Sequence, residues 1–209
     1  MPCSLFAAIN FADQAHAGQV REDGSPYILH PISVLQILWS ASIDLPLEAS
    51  IAAVLHDVLE DTPTTREDIV FLAGEGVAHA VSLLTRPRKI PGAYVDRREA
   101  EATYLRRLQT SSAECPYAPL VKLADRIHNV ETAASIGEER RLALAEETCD
   151  LYVPFFRSGA AEIEPYASAH TALLVRLARS CLILRDGVCC RREAEMHLLH
   201  CAKMPILVS

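Results

Sequence analysis

A chain of 209 residues, half of them apolar, is long enough to bury one sizeable core. Its formal net charge of −7 argues against general nucleic-acid binding, which wants a basic surface, yet it leaves small anionic ligands open. The interrupted apolar runs give no expectation of a membrane span, and seven cysteines without a paired framework favour a reducing cytoplasm.

The opening stretch M-P-C-S-L-F-A-A-I-N-F-A-D has no basic residues ahead of its short apolar run and soon meets Asp13. It reads as an amphipathic helix over 4–16, not as a signal peptide. A glycine-punctuated loop follows over 18–27. Pro31 suits the first position of a second helix, 31–40, with His30 just ahead of it. Pro46 opens the helix that carries A-A-V-L-H-D-V-L-E-D-T, and Thr62-Pro63 closes it. Thr65 with Asp68 predicts a capped short helix ending near Gly74. A helix over 77–84 leads into R-P-R-K-I-P-G-A, read as a mobile loop. Further helices are expected over 96–109, 119–135, 138–156, 162–184 and 191–203. Strand-like alternation is absent from the sequence, so the fold class is all-α: a single helical domain with a core over 1–160 and covering helices over 161–209. Apolar faces on the last two helices are candidates for a contact between copies, although covering the core is their first use.

The stretch 52–62 sets four ionisable residues into an apolar helical pattern. His56 lies i, i+4 from Glu60, and Asp57 lies i, i+4 from Asp61, which puts all four on one face. Ile51, Val54, Leu55, Val58 and Leu59 cover the other face, and Ala53 leaves room beside the acids. An imidazole and three carboxylates are not buried without a neutralising partner, and a divalent metal meets that need. Further ligands are sought in His30 of Y-I-L-H-P and Asp125 of V-K-L-A-D-R-I-H-N-V, where Asp125, Asn129 and Thr132 share a helix face. Such a mixed nitrogen and oxygen set accepts manganese, iron, zinc or magnesium. Taken singly, His30 or His128 reads as a structural histidine, and Asp125 as a partner of Arg126. Between Thr85 and Leu108, Arg86, Arg88, Lys89, Arg97, Arg98, Arg106 and Arg107 outnumber Asp96, Glu99 and Glu101, a local excess suited to phosphate or to a solvated helix surface.

With His30, His56-Asp57 and Asp125 in that order, the chain resembles the HD metal-dependent phosphohydrolases. The stretches F-A-D-Q-A-H-A-G-Q, R-E-D-G-S-P-Y-I-L-H-P, L-H-D-V-L-E-D-T and V-K-L-A-D-R-I-H-N narrow this to the hydrolase domain of the RelA/SpoT alarmone enzymes and their small stand-alone relatives. A weaker D-L-Y-V-P-F extends the likeness past residue 150. The resemblance implies hydrolysis of the 3′-pyrophosphate of guanosine tetra- or pentaphosphate, with manganese, giving GDP or GTP and pyrophosphate. It implies His30, His56, Asp57 and Asp125 as metal ligands and Glu60 with Asp61 as the catalytic acidic pair. It places Arg21 against the guanine with Ser25 and Tyr27 in the same loop. Asn129 and Thr132 would line the nucleotide site, and Thr85-Arg86 would stand beside the phosphates. A nucleotide substrate, no nucleic acid, no membrane and a cytoplasmic setting complete this expectation, and no synthetase domain is expected.

Glu22 and Asp23 depart from the family, which usually sets a basic residue after the arginine of this loop. They keep open one rival, an HD phosphohydrolase for another nucleotide, such as an adenine alarmone or NADPH; a second rival, a module that senses a nucleotide without cleaving it, has the Glu60-Asp61 pair against it. Cys189, Cys190, His197, His200 and Cys201 match no common zinc spacing and read as incidental.

Overall fold

The computed structural model describes residues 3–42, 44–87, 96–158 and 166–186. Among them every regular element is helical, and the sole strand-like feature is an isolated bridge between Val20 and Pro26. The R-P-R-K-I-P-G-A loop from Arg88 onward, the helix expected over 191–203 and the cysteine–histidine group near the C-terminus lie outside the described residues.

α1 (Leu5–Ala15) begins where the Ser4 hydroxyl accepts the Ala7 amide, which satisfies one of the free donors of a first helical turn. The loop behind it turns tightly: the Arg21 amide donates to the Ser25 carbonyl and the Gly24 amide to the Arg21 carbonyl, both at 2.9 Å. Gly24 sits there at φ +82°, a region that side chains with a Cβ avoid. α2 (Leu29–Ala41) starts two residues earlier than the proline suggests. Pro31 occupies the third helical position, where the amide it lacks would have no intrahelical partner anyway. His30 is therefore inside the first turn.

The central motif is two helices, not one. α3 (Leu47–Leu55) and α4 (Val58–Asp61) are separated at His56 and Asp57. The His56 ring donates from Nδ1 to the Ala53 carbonyl at 2.8 Å, an acceptor that an unbroken helix would offer to the Asp57 amide. Asp57 then becomes the cap of α4, its carbonyl accepting the amides of Glu60 and Asp61. Every residue of α3 from Ala49 to Leu55 is buried, because α1, α2, α6 and α8 pack around it.

α5 (Arg66–Ala73) carries the capping box read from Thr65 and Asp68, with both reciprocal bonds formed, and Gly74 ends it at φ +88°. α6 (Glu75–Leu84) and α7 (Arg97–Thr110) lead to α8 (Ala118–Glu131), which packs against α2, α3, α6, α7 and α11. That central position buries even Lys122, Asp125 and Arg126 of α8. A short 3-10 turn (Ala133–Ser135), α9 (Glu138–Glu147), a π-helical stretch (Thr148–Tyr152) and α10 (Val153–Ser158) follow, so the helix expected over 138–156 is interrupted.

α11 (Ala167–Asp186) closes the described chain over α8 and α9. By length and hydropathy it alone among the described helices could cross a membrane, which the interrupted apolar runs did not foretell. In this fold Ala169, His170, Leu173, Leu177 and Cys181 are buried, and Arg176 forms an ion pair with Glu131 of α8.

Candidate metal centre and its cavity

The break after α3, the first turn of α2 and the middle of α8 meet at one point. His30 Nε2 lies 3.3 Å from Asp57 Oδ2 and 3.2 Å from Asp125 Oδ1. His56 Nε2 lies 3.1 Å from Asp57 Oδ2 and 3.7 Å from Asp125 Oδ1. Ligand atoms of His30, His56 and Asp57 all fall within 4.8 Å of one another. Residues 26, 1 and 68 positions apart in chain order thus aim two imidazole nitrogens and two carboxylates at a common point.

The donor set fits a divalent cation. With its Nδ1 proton committed to the Ala53 carbonyl, a neutral His56 would present a lone pair at Nε2, and among the described residues that buried atom has no properly oriented hydrogen bond despite the nearby carboxylates. Burial opposes a charge on His56, but Asp57 and Asp125 outweigh it and push the imidazole up to about 10. Without a cation, a proton is what holds these acids together, and a metal ion competes for the same lone pair. Burial likewise works against ionised Asp125, yet Lys122, His30 and His56 hold its carboxyl well below the usual range. Lys122 Nζ is 2.8 Å from Asp125 Oδ2, so Asp125 is partnered by Lys122 while Arg126 turns away to Glu147 and Thr148.

The acidic pair stands beside this cluster. Glu60 accepts the Arg86 amide at 3.1 Å and faces its guanidinium at 3.3 Å. Arg86 also reaches Glu101 at 3.0 Å, and the Tyr152 hydroxyl donates to Glu101 as well. The Tyr27 hydroxyl stands 2.8 Å from Asp57 and 2.9 Å from Asp61. Burial, then the charge of Asp57, raises the Asp61 carboxyl above its ordinary value.

These groups line a cavity of about 170 Å³ bounded by Arg21, Tyr27, His30, Asp57, Glu60, Asp61, Arg86, Asp125, Arg126, Asn129 and Tyr152. A larger one of about 1100 Å³ shares Arg21, Tyr27, His30, Asp61 and Asn129 with it and extends to Glu22, Asp23, Ser25, Thr132 and Arg140. Arg21 donates to Asn129 at 3.1 Å, and Asn129 donates to Asp125 at 2.7 Å, so the two cavities share one wall of hydrogen bonds. Thr85 lines neither cavity; its hydroxyl closes the end of α6 on the Val81 carbonyl. Of the described bases between 85 and 108, Arg86 alone lines the small cavity. Arg107 binds the carbonyls of Ser82, Leu83 and Thr85, Arg97 pairs with Glu147, and Arg98 with Asp150. Three of the five described bases of that segment are thus engaged by neighbouring helices and loops.

A family model described as "HD domain" matches residues 8–159. The chain belongs to the HD-domain family. Over 143 residues it is 40% identical to the bifunctional (p)ppGpp synthase/hydrolase SpoT of Escherichia coli strain K12, covering 68% of this chain and 20% of that one. Over 151 residues it is 41% identical to the GTP pyrophosphokinase rsh of Brucella ovis, covering 72% and 20%. The chain therefore spans about a fifth of the length of these curated relatives. A solved structure titled as a metazoan orthologue of SpoT that hydrolyses ppGpp shares the fold, with a TM-score of 0.60 at 24% identity over 84% of this chain and 93% of that one.

Four residues of this HD domain that sequence reasoning left without a role sit against the centre. His16 stacks on Tyr27 with ring centroids 4.5 Å apart and contacts Gln19 at 2.8 Å, and Gln19 donates to the Asp61 carbonyl. Lys122 was detectable as a lysine within an otherwise apolar turn, three residues ahead of Asp125. His128, read singly as structural, places Nδ1 2.8 Å from Nδ1 of His30.

Proposed function

We propose that this HD domain is a manganese-dependent guanosine-3′,5′-bis(diphosphate) 3′-pyrophosphohydrolase, releasing pyrophosphate and leaving GDP or GTP. The observation that carries the reading is the convergence of His30, His56, Asp57 and Asp125 beside a small polar cavity that shares lining residues with one of nucleotide size. The names of the curated relatives include both making and cleaving (p)ppGpp, and this donor set suits cleavage.

His30, His56, Asp57 and Asp125 would hold the cation. When bound, it supplies Lewis acidity, polarising a phosphoryl oxygen and making water a better nucleophile. Glu60, fixed by Arg86 at the cavity wall, is placed to accept the proton of the attacking water. Asp61 is held by Tyr27 and, through its backbone, by Gln19, so the acidic pair is oriented from both sides. Arg86 faces the developing phosphate charge while Glu101 and Tyr152 fix its guanidinium. Arg21, Tyr27 and Asn129 would bracket the nucleoside, with Ser25 and Thr132 in the wider chamber.

The two acids that depart from the family pattern are each partnered. Glu22 pairs with Arg140 at 2.5 Å, and Asp23 accepts the amide and hydroxyl of Ser25 at 2.9 and 2.6 Å. Arg140 thus offsets the charge of Glu22, whereas the neutral Ser25 donors leave Asp23 an anion on the wall of the larger cavity. Packing of α11 on α8 supports reading Ala167–Asp186 as a cover on the same core.

Purified protein with manganese, offered guanosine tetraphosphate, its adenine counterpart, NADPH and ordinary nucleoside triphosphates, tests the reading. Pyrophosphate from the first compound is the expected result. Preferential cleavage of another would reassign the substrate, and binding without products would make the chain a sensor. Glu60→Gln is expected to lower kcat by about 10²–10⁴ while manganese content stays unchanged.

A further inference from the structure

We propose that His128 is a positioning residue that fixes the ring of His30 for the cation by accepting its Nδ1 proton. This rests on the metal reading given above. The two Nδ1 atoms are 2.8 Å apart, so one must donate and the other accept. His30 directs Nε2 at Asp57 and Asp125, where a bound cation would take that nitrogen's lone pair. A neutral imidazole that coordinates through Nε2 carries its proton on Nδ1, and the partner facing that proton is the lone pair of His128. His128 is thereby set in the Nε2-protonated form, on the wall of the larger cavity.

The arrangement parallels that of His56, whose Nδ1 proton goes to the Ala53 carbonyl at the same distance of 2.8 Å. Both ligating imidazoles are thus anchored from behind, one by backbone and one by a second ring. A buried donor behind a ligand orients it and raises its basicity, and loss of such a partner costs typically about 10- to 100-fold in metal affinity.

The test compares the unaltered protein with His128→Leu and His128→Asn by calorimetric titration with manganese, alongside thermal melts of the metal-free forms. An asparagine sets its carbonyl oxygen near the place of the imidazole Nδ1, so it restores an acceptor for His30; leucine fills the space and cannot. The expected result is manganese affinity about 10- to 100-fold weaker in His128→Leu and within about threefold of the unaltered protein in His128→Asn. A purely structural role would lower both melting temperatures and separate neither affinity. Equal affinity in the leucine variant and the unaltered protein would overturn the role of His128 while leaving the metal centre standing. Absence of manganese binding by the unaltered protein would overturn the metal reading itself, and this proposal with it.

Discussion

Lys122 shows how tightly charge is balanced around the centre. It is 3% exposed, its ammonium bonds Asp125 and lies over the Tyr104 ring, 5.4 Å from the centroid. Removing one partner of a buried pair leaves the other charge uncompensated, at a cost of about 3–5 kcal/mol. Lys122→Met is therefore expected to destabilise the metal-free protein by about that amount. Because a cation would neutralise the same carboxylate, manganese should raise the melting temperature of the variant by more than it raises that of the unaltered protein. Equal shifts would mean that Lys122 and the ion act on different groups.

At the level of helices and turns, local signals were legible wherever the chain satisfies its own backbone. Ser4 caps α1 and the Thr65–Asp68 box caps α5 as the residue types dictate. Thr65→Ala is expected to lose about 1 kcal/mol in urea unfolding. Gly24→Ala meets no atom within 4 Å, so its cost, about 1 kcal/mol, is that of the positive φ alone, and a melt showing no loss would mean that the loop relaxes to another turn. The break between α3 and α4 was not legible, because hydrophobic periodicity runs straight through it. Its cause is one side-chain bond, His56 to Ala53, that no spacing rule encodes. Nor did periodicity reveal that Arg97, Arg98 and Arg107 are occupied by acids and carbonyls of neighbouring helices, since those partners come from distant sequence.

Across the whole molecule, the family resemblance named His30, His56, Asp57 and Asp125 together, and the fold brings their side chains to one place. A different buried imidazole escaped notice. His170 of α11 is fully buried, neither ring nitrogen has a hydrogen-bond partner among the described residues, and its ring lies 6.0 Å from that of Phe156. Burial pushes it down to about 4 from its ordinary 6.5. The unfolded chain then takes up a proton that the folded one refuses. The stability tied to this residue is complete above pH 6.5 and is lost as pH falls toward about 4, for a total of about 3 kcal/mol. His170→Leu should flatten that part of the acid limb in urea titrations at successive pH values, and an unchanged slope would place the sensitivity elsewhere.

α4 is a single turn, four residues long, and helices so short do not hold themselves in water. What keeps it is outside help: the Thr62 hydroxyl on the Val58 carbonyl, Gln19 on the Asp61 carbonyl and the phenol of Tyr27 on the Asp61 carboxylate. The acidic pair is therefore not portable. A synthetic peptide of residues 52–62, or the same stretch transplanted into a foreign helix, would carry every letter of the motif and none of its geometry.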